Sequence, residues 1–175
     1  LLGPNGAGKS TTVDMLLGAE RPVIFAGQAV RHGGATEELL KLAERLQIPV
    51  AASMSGLGVI DTHHPLALGM IARGGHYQAN HAARQADVLL SLAARFDDRT
   101  SSSWIQGYSF TIPPTKLIHV DIDPDEIGRN YPVALGLMAD TRTFLRQVLA
   151  ELDRRKDVDK NLGARKKWLG QIDGY

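Results

Sequence analysis

The sequence predicts an α/β protein with a doubly wound, mostly parallel sheet of about six strands and helices on both faces. Three observations support this prediction. Short runs of apolar, β-branched residues are separated by turn residues, as in strands that are buried on both faces. Amphipathic helix patterns alternate with these runs, which favours right-handed crossovers between parallel strands. The 175 residues suffice for one such domain with a core of its own.

The elements of the first half follow in order along the chain. Residues 10–19 can form a helix, and residues 22–26 (PVIFA) form a β-rich run that ends at Gly27. After a glycine-rich turn, Thr36 begins a helix in which leucines and an alanine at helical spacing form one apolar stripe. Residues 48–52 (IPVAA) are the next predicted strand.

The second half continues the alternation. Residues 77–85 form an alanine-rich helix pattern, and residues 88–92 (VLLSL) form a continuous apolar strand. Residues 116–122 and 133–138 are the last two predicted strands, and Thr141 is the predicted cap of an amphipathic helix. This arrangement is Rossmann-like, and its ligand is expected at the carboxyl ends of the strands.

The composition excludes several classes of protein. The balance of 20 basic and 19 acidic residues gives a charge of +1, which provides no general field for nucleic acid or an anionic membrane. The absence of cysteine excludes disulfides, thiolate nucleophiles and thiolate metal sites. No apolar run reaches the ~18 residues that span a bilayer, and the N-terminus has no signal-peptide pattern. We therefore expect a cytoplasmic protein.

Residues 3–11 (GPNGAGKST) fit the pattern of a phosphate-binding loop. In such a loop Lys9 would reach the β- and γ-phosphates and Ser10 would bind Mg²⁺. The segment resembles the start of an ABC-transporter ATPase subunit. Only two leucines precede it in place of a buried strand, no Leu-Ser-Gly-Gly-Gln signature follows, and Asp121 is the best candidate for the magnesium-side aspartate. We expect residues 1–12 to be a phosphate-loop-like segment without its scaffold, with a P-loop ATP-binding protein as the alternative.

From about residue 13 onward, the chain resembles the central domain of thiamine-diphosphate-dependent enzymes of the acetolactate synthase type. The resemblance rests on the order and spacing of short stretches rather than on any single one. These stretches are residues 21–27 (RPVIFAG), 55–58 (SGLG), 64–70 (HPLALGM), 77–80 (YQAN), 86–90 (ADVLL), 94–99 (ARFDDR), 118–127 (IHVDIDPDEI) and 139–140 (AD).

The resemblance implies a six-stranded Rossmann-like domain without catalytic groups. In this family the glutamate that activates thiamine lies in the preceding domain, and the site for thiamine diphosphate and Mg²⁺ lies in the following one. The full enzyme would decarboxylate a 2-keto acid and transfer the two-carbon unit, as in branched-chain amino acid biosynthesis. Its implied partners are the other domains and subunits of the same enzyme, as a homo-oligomer.

The resemblance and the two ends of the sequence together predict the domain organisation. The sequence begins without an initiator methionine and ends without a closing element, so we expect a fragment of a longer chain. Residues 13–152 are the expected central domain. Residues 153–175 are the expected charged linker or helix toward a further domain.

In the acetolactate synthase branch the central domain binds FAD, chiefly as a structural cofactor. Three stretches depart from that pattern. Residues 72–75 (ARGG) replace the usual Gly-Met-His-Gly, residues 27–29 (GQA) replace a richer glycine cluster, and residues 100–114 are longer than the family's turn. FAD, ADP and a scaffold domain with an empty pocket therefore remain as alternatives. Carried over position by position, the cofactor contacts would fall at Gly27, Ser53, Met54, Ile71, Ala72, Arg73, Ala94, Arg95, Asp97, Asp121, Ile122 and Asp140.

Elementary chemistry makes several of these contacts plausible. Gly27 follows a strand and lets the backbone approach a ligand closely, and Arg95 at another strand end can pair with a diphosphate. Asp121 lies at the position where acidic residues of dinucleotide-binding folds accept hydrogen bonds from ribose hydroxyls. The alternative for Arg95 is a buried ion pair with a carboxylate such as Asp98.

Other charged and metal-ligating residue types are interpreted structurally. His63 and His64 are adjacent and converge poorly on one ion, and residues 121–132 lack the glycine and the final glutamate of a calcium loop. We therefore predict no metal site. The basic runs 154–156 and 165–167 are expected on a solvated face, because acidic residues intervene and no aromatic platform accompanies them.

Overall fold

The computed structural model describes residues 7–174. Strands and helices alternate along this part of the chain, as predicted. The helices are α1 (Ala7–Gly18), α2 (Gln28–His32), α3 (Thr36–Leu46), α4 (Tyr77–Gln85), α5 (Thr141–Asp153) and α6 (Leu162–Asp173). The strands are β1 (Pro22–Ala26), β2 (Val50–Ala52), β3 (Ala67–Met70), β4 (Val88–Leu92), β5 (Lys116–Asp121) and β6 (Leu135–Met138).

The six strands form one sheet in the order β3-β2-β1-β4-β5-β6, and every neighbouring pair is parallel. The chain moves outward in one direction from β1 to β3 and then returns to the other side of β1 with β4. This reversal creates a switch point between β1 and β4, where a crevice opens at the carboxyl ends of the strands. The register places Ala26 of β1 beside Ala52 on one side and Leu92 on the other, so these strands end at one level.

The core has two layers, one on each face of the sheet. In β1, Ile24 packs in the layer that α1, α3 and α5 cover, and Phe25 packs in the layer that α4 and α6 cover. Alternation of buried side chains along a strand with helices on both faces is the doubly wound arrangement. The predicted fold class is therefore confirmed.

Several predicted elements differ from the structure at their ends. The strand predicted from residue 48 begins at Val50, because Pro49 has no N–H to donate to a neighbouring strand. The strand predicted from residue 133 begins at Leu135. The predicted helix cap at Thr141 is wrong by one residue, since the side chain of Asp140 accepts the hydrogen bond from the Thr143 N–H at 2.8 Å.

Two elements were not predicted, β3 and α2, and α6 was predicted only as a charged linker or helix within residues 153–175. In β3, Gly69 has a φ of 82°, and the pairing of β2 with β3 shifts register between Val50 and Ala51. This irregularity removes the two-residue alternation that identifies a strand in a sequence. The helix α2 has only five residues, too few for a helical period to be visible.

The expectation of a solvated face is wrong for Arg165. Its side chain is completely buried, at 0% exposure, and its guanidinium donates to backbone carbonyls at the ends of α1 and α3. Helix carboxyl ends carry partial negative charge and unpaired carbonyls, which a guanidinium can satisfy. The acceptors are the carbonyl oxygens of Leu16, Leu17, Ala19 and Leu46.

The rest of α6 divides between the core and the surface. Trp168 and Ile172 are buried in the layer that contains α4, whereas Lys166 and Lys167 are exposed as expected. Arg154 is also exposed. Within residues 7–174, no helix combines the length and the apolar character needed to cross a membrane.

Candidate nucleotide-binding cleft

A cleft of about 510 Å³ opens at the carboxyl edge of the sheet, around the switch point between β1 and β4. The segments that follow β1, β2, β4 and β5 line it. Six of the predicted contact residues are among the lining residues: Ser53, Met54, Arg95, Asp97, Asp121 and Ile122. The six that the sequence did not single out are Gln28, Ala29, Ser55, Ala93, Thr100 and Asp123. Each lies within three residues of a predicted contact residue, in a segment that follows a strand. Their position after a strand end is therefore the sequence signal that could have identified them.

Gly27 shapes the cleft without lining it. A Cβ added to Gly27 would overlap the carbonyl oxygen of Ala93, so only glycine fits at this crossing of the β1 and β4 ends. The Gly27 N–H donates to the Leu92 carbonyl at 2.9 Å, which fixes the two strand ends to each other. Ala93 itself has a φ of 48°, a left-handed conformation that turns the chain after β4 into the wall of the cleft.

Arg95 presents a largely exposed guanidinium to the cleft. Its side chain is 70% exposed, and its Nε lies 3.6 Å from Oε1 of Glu126, a carboxylate that is only 9% exposed. The same Glu126 oxygen accepts a hydrogen bond from Arg129 Nη1 at 2.9 Å. The alternative of a buried Arg95 pair with Asp98 is therefore wrong, because Arg95 is exposed and its carboxylate partner is Glu126.

The two predicted aspartates of the cleft are held by local turns. Asp97 accepts hydrogen bonds from the N–H of Thr100 at 2.8 Å and from its hydroxyl at 3.3 Å. Asp121 accepts from the N–H of Asp123 at 2.9 Å and is nearly buried at the end of β5. Such turns fix carboxylate oxygens at strand ends, where they can also accept hydrogen bonds from the hydroxyls of a ligand.

Polar and apolar groups alternate around the opening. Ser53 accepts a hydrogen bond from the Gly56 N–H at 3.1 Å and starts the short 3₁₀ turn Met54–Gly56 after β2. Met54 on this turn and Ile122 after β5 are both exposed apolar side chains that line the cleft. Apolar surface beside a few fixed polar groups is typical of small-molecule sites.

The predicted contacts at Ile71, Ala72 and Arg73 do not line the cleft. Ile71 and Ala72 are buried, and the side chain of Asn80 bonds both the N–H and the carbonyl of Ala72, at 3.3 and 2.9 Å. The Arg73 guanidinium donates to the hydroxyl of Ser103 at 2.6 Å. The loop between β3 and α4 is thus tied to α4 and to the long segment 100–114.

The two remaining predicted contacts also lie outside the lining. Ala94 is buried between Ala93 and Arg95, and Asp140 caps α5 through its side chain. The hydrogen bond from Thr143 lowers the pKa of Asp140, so this carboxylate is ionised at neutral pH. No observation tests these assignments as ligand contacts, and all twelve stay predictions.

A buried histidine lies on β5, two residues before Asp121 of the cleft lining. His119 is almost completely buried on β5, packs edge-to-face against Phe96 at 5.3 Å between ring centroids, and accepts a hydrogen bond from the Gly128 N–H at 3.4 Å. Burial lowers the pKa of His119, and the carboxylates of Asp121 and Glu126 oppose this change. The ring is therefore neutral near pH 7, and its contacts hold it in place on β5.

The phosphate-loop-like segment is described only in part. Residues 3–6 of the motif lie outside the described residues, whereas Lys9 and Ser10 belong to α1 and do not line the cleft. Gly8 lies against the side chain of Leu137 of β6, far along the sheet from the switch point. Among residues 7–174, no three histidine or acidic side chains come together as metal ligands would.

The sequence profile of a known family matches this chain over residues 10–148. The family is described as the central domain of thiamine pyrophosphate enzymes. The chain belongs to this family, as its resemblance predicted. Because the match begins at residue 10, it does not bear on the preceding residues, and their likeness to ABC-transporter ATPases stays a prediction.

Within this class the chain is similar to acetolactate synthase large subunits. It is 42% identical over 151 residues to the probable large subunit of Methanococcus aeolicus, which covers 85% of this chain and 24% of that protein. It is 41% identical over 154 residues to the probable large subunit of Methanocaldococcus jannaschii, covering 88% and 24%. With the isozyme 3 large subunit of Escherichia coli it shares 32% identity over 160 residues, 91% of this chain and 27% of that protein. The chain thus spans about a quarter of the length of these relatives.

Proposed function

We propose that this domain binds the adenosine diphosphate portion of a nucleotide, FAD or ADP, and contributes no catalytic group. The observation that carries the proposal is the cleft at the switch point, where β2, β4 and β5 each bring predicted contact residues. Its volume of 510 Å³ lies within the range of about 300–1,000 Å³ of small-molecule sites. Arg95 can pair with a diphosphate, and Asp121 can accept hydrogen bonds from ribose hydroxyls.

The fit to a nucleotide is better for ADP than for FAD. Three contacts that the resemblance assigns to FAD, Ile71–Arg73, are taken up by bonds to Asn80 and Ser103 or by burial in the core. A ligand that uses only the strand-end contacts needs none of these three residues. This difference favours ADP over the larger dinucleotide.

The proposal also covers the activity of a longer enzyme that would contain this domain. By analogy with acetolactate synthase large subunits, we infer that it decarboxylates a 2-keto acid and joins the two-carbon unit to an acceptor. Thiamine diphosphate and Mg²⁺ would supply this chemistry in other domains. The central domain described here would then support the fold and contact the other domains and subunits.

Ligand titration tests the proposal. FAD, ADP and Mg-ATP are each added to the 175-residue protein while thermal unfolding is followed, and ADP is expected to raise the midpoint most. Binding at 100 times the dissociation constant stabilises a protein by about 2.7 kcal/mol. Arg95→Ala should remove most of the ADP effect because the diphosphate loses a charge-assisted partner, whereas Lys166→Ala on the exposed face of α6 should not.

Each other outcome points to a different function. A yellow protein that FAD stabilises most would identify FAD as the ligand. Stabilisation by Mg-ATP that disappears in Lys9→Ala would support a P-loop ATP-binding protein. A protein that none of the three ligands stabilises would contradict nucleotide binding and support a scaffold domain.

A further inference from the structure

We propose that Glu126 is a positioning residue that holds Arg95 in place for the diphosphate of the bound nucleotide. This inference rests on the function proposed above and adds a residue that contacts no ligand. Glu126 does not line the cleft, whereas Arg95 does. The role of Glu126 is therefore to act on the ligand through the arginine.

The first observation is the contrast in exposure between the carboxylate and its partners. Glu126 is 9% exposed, whereas the side chains of Arg95 and Arg129 are 70% and 63% exposed. Oε1 of Glu126 lies 3.6 Å from Arg95 Nε and 2.9 Å from Arg129 Nη1. One buried anion thus holds two cations that solvent and a ligand can reach.

The second observation is that the backbone of Glu126 is fixed to the sheet. The turn after β5 is closed by the Asp123 N–H donating to Asp121 and by the Glu126 N–H donating to the Asp123 carbonyl, at 2.9 and 3.3 Å. Two residues later, the Gly128 N–H donates to the ring of His119 in β5. The carboxylate therefore has a defined place relative to the ends of β4 and β5.

The third observation concerns which atoms of Arg95 are engaged. Arg95 approaches Glu126 most closely through Nε, at 3.6 Å, and its two terminal nitrogens lie no closer to that carboxylate. Those nitrogens are the donors that bind a phosphate in a forked geometry. An arginine held through Nε loses less side-chain freedom when a ligand binds, which strengthens binding.

A single substitution separates positioning from simple charge. Glu126→Gln removes one negative charge beside the cleft, which by itself would strengthen binding of an anion at low salt. If Glu126 positions Arg95, the same substitution weakens ADP binding instead. The expected loss is about three- to tenfold, because ADP must then immobilise an Arg95 side chain that is free in the unbound protein. The two roles thus predict changes of opposite sign.

The experiment is calorimetric titration of ADP into the 175-residue protein at about 0.15 M and about 1 M salt. The expected result is weaker ADP binding by Glu126→Gln at both salt concentrations, with no further loss when Glu126→Gln is added to Arg95→Ala. Glu37→Gln, which removes an exposed carboxylate on α3, is the matched control and should leave ADP binding unchanged. Thermal unfolding of each variant without ligand shows whether it is folded.

The outcomes distinguish this inference from the proposed function. If Arg95→Ala weakens ADP binding and Glu126→Gln does not, or strengthens it only at low salt, the positioning role is overturned and the nucleotide site stands. If Glu126→Gln weakens binding equally in the presence and absence of the Arg95 side chain, it acts by another route and the inference is also overturned. If the unchanged protein binds no nucleotide, both proposals fail.

Discussion

Gly27 and Ala93 touch at the switch point of the sheet, with no room for a side chain between them. Gly27 ends β1 and Ala93 follows β4, and these two segments diverge from there to opposite sides of the cleft. A parallel sheet that reverses its strand order needs such a close crossing where its two halves meet. The contact between these two residues therefore sets the geometry of the candidate site.

Gly27→Ala is expected to destabilise the protein and to weaken nucleotide binding. The added Cβ would overlap the Ala93 carbonyl, a backbone atom that cannot move without shifting the end of β4. Overpacking of this kind costs about 1–3 kcal/mol and can cost more. Urea unfolding measures the change in stability. Gly170→Ala in α6 is the control, since nothing lies near its added Cβ, and a similar loss there would contradict the explanation.

Arg165→Met is expected to lower stability by about 1–3 kcal/mol, the cost of leaving buried carbonyls without a hydrogen bond. The substitution keeps an apolar stem but removes the donor to the carbonyls of Ala19 and Leu46, whereas the Leu16 and Leu17 carbonyls keep a second donor. Chemical denaturation measures the loss. Lys166→Met changes an exposed neighbour in the same helix, and surface changes usually stay within about 0.5 kcal/mol. Equal effects of the two substitutions would contradict the role assigned to Arg165.

Stability is expected to fall as pH drops below about 6.5. Burial lowers the pKa of both His119 and His81 in the folded protein, so the unfolded chain binds protons first. Each histidine can reduce the free energy of unfolding by at most about 1.4 kcal/mol per pH unit. Urea unfolding at about pH 7.5 and about pH 5.5 measures the slope. His119→Gln should flatten it and His63→Gln, at an exposed turn, should not.

A second loss of stability is expected in stronger acid. Hydrogen bonds from Arg142 and Arg146 lower the pKa of Glu38 from 4.5 to about 2, despite its burial between α3 and α5. This contribution is complete above pH 4.5 and disappears as pH falls from 4.5 to about 2. Glu38→Gln should lower the thermal midpoint at neutral pH and reduce the acid-dependent change.

The matched control for this prediction is Glu37→Gln. Glu37 is exposed and pairs with Lys41 on the same helix, and exposed pairs of this kind contribute little. An effect as large as that of Glu38→Gln would show that helix charge, and not the contact between α3 and α5, is responsible.

Much of the fold was predictable because the central strands are continuous and apolar. The sequence predicted β1 and β4 with the bounds that the structure has, and also α3 and α4. It did not predict β3, where a glycine with positive φ breaks the alternation. Local pattern identifies an element only where the backbone is regular.

The site was predictable at the level of strand ends but not of side-chain partners. Fold and resemblance together led to Ser53, Arg95 and Asp121, because parallel strands bring their carboxyl ends to one edge. The partner of Arg95 depends on the turn after β5, and the sequence analysis named only Asp98 as an example of a partner, as an alternative to ligand binding. The burial of Arg165 depends on two helix ends more than 100 residues away along the chain, as the separations of 119 and 149 residues show.

That buried guanidinium also has a consequence for how the molecule opens. Because Arg165 holds the ends of α1 and α3, α6 cannot detach without exposing carbonyls in both helices. Local fraying of α6 is therefore suppressed. We expect its amide hydrogens to exchange with solvent as slowly as the amide hydrogens of the central strands. We therefore expect the first and the last of the described helices to be released together in one cooperative unfolding step.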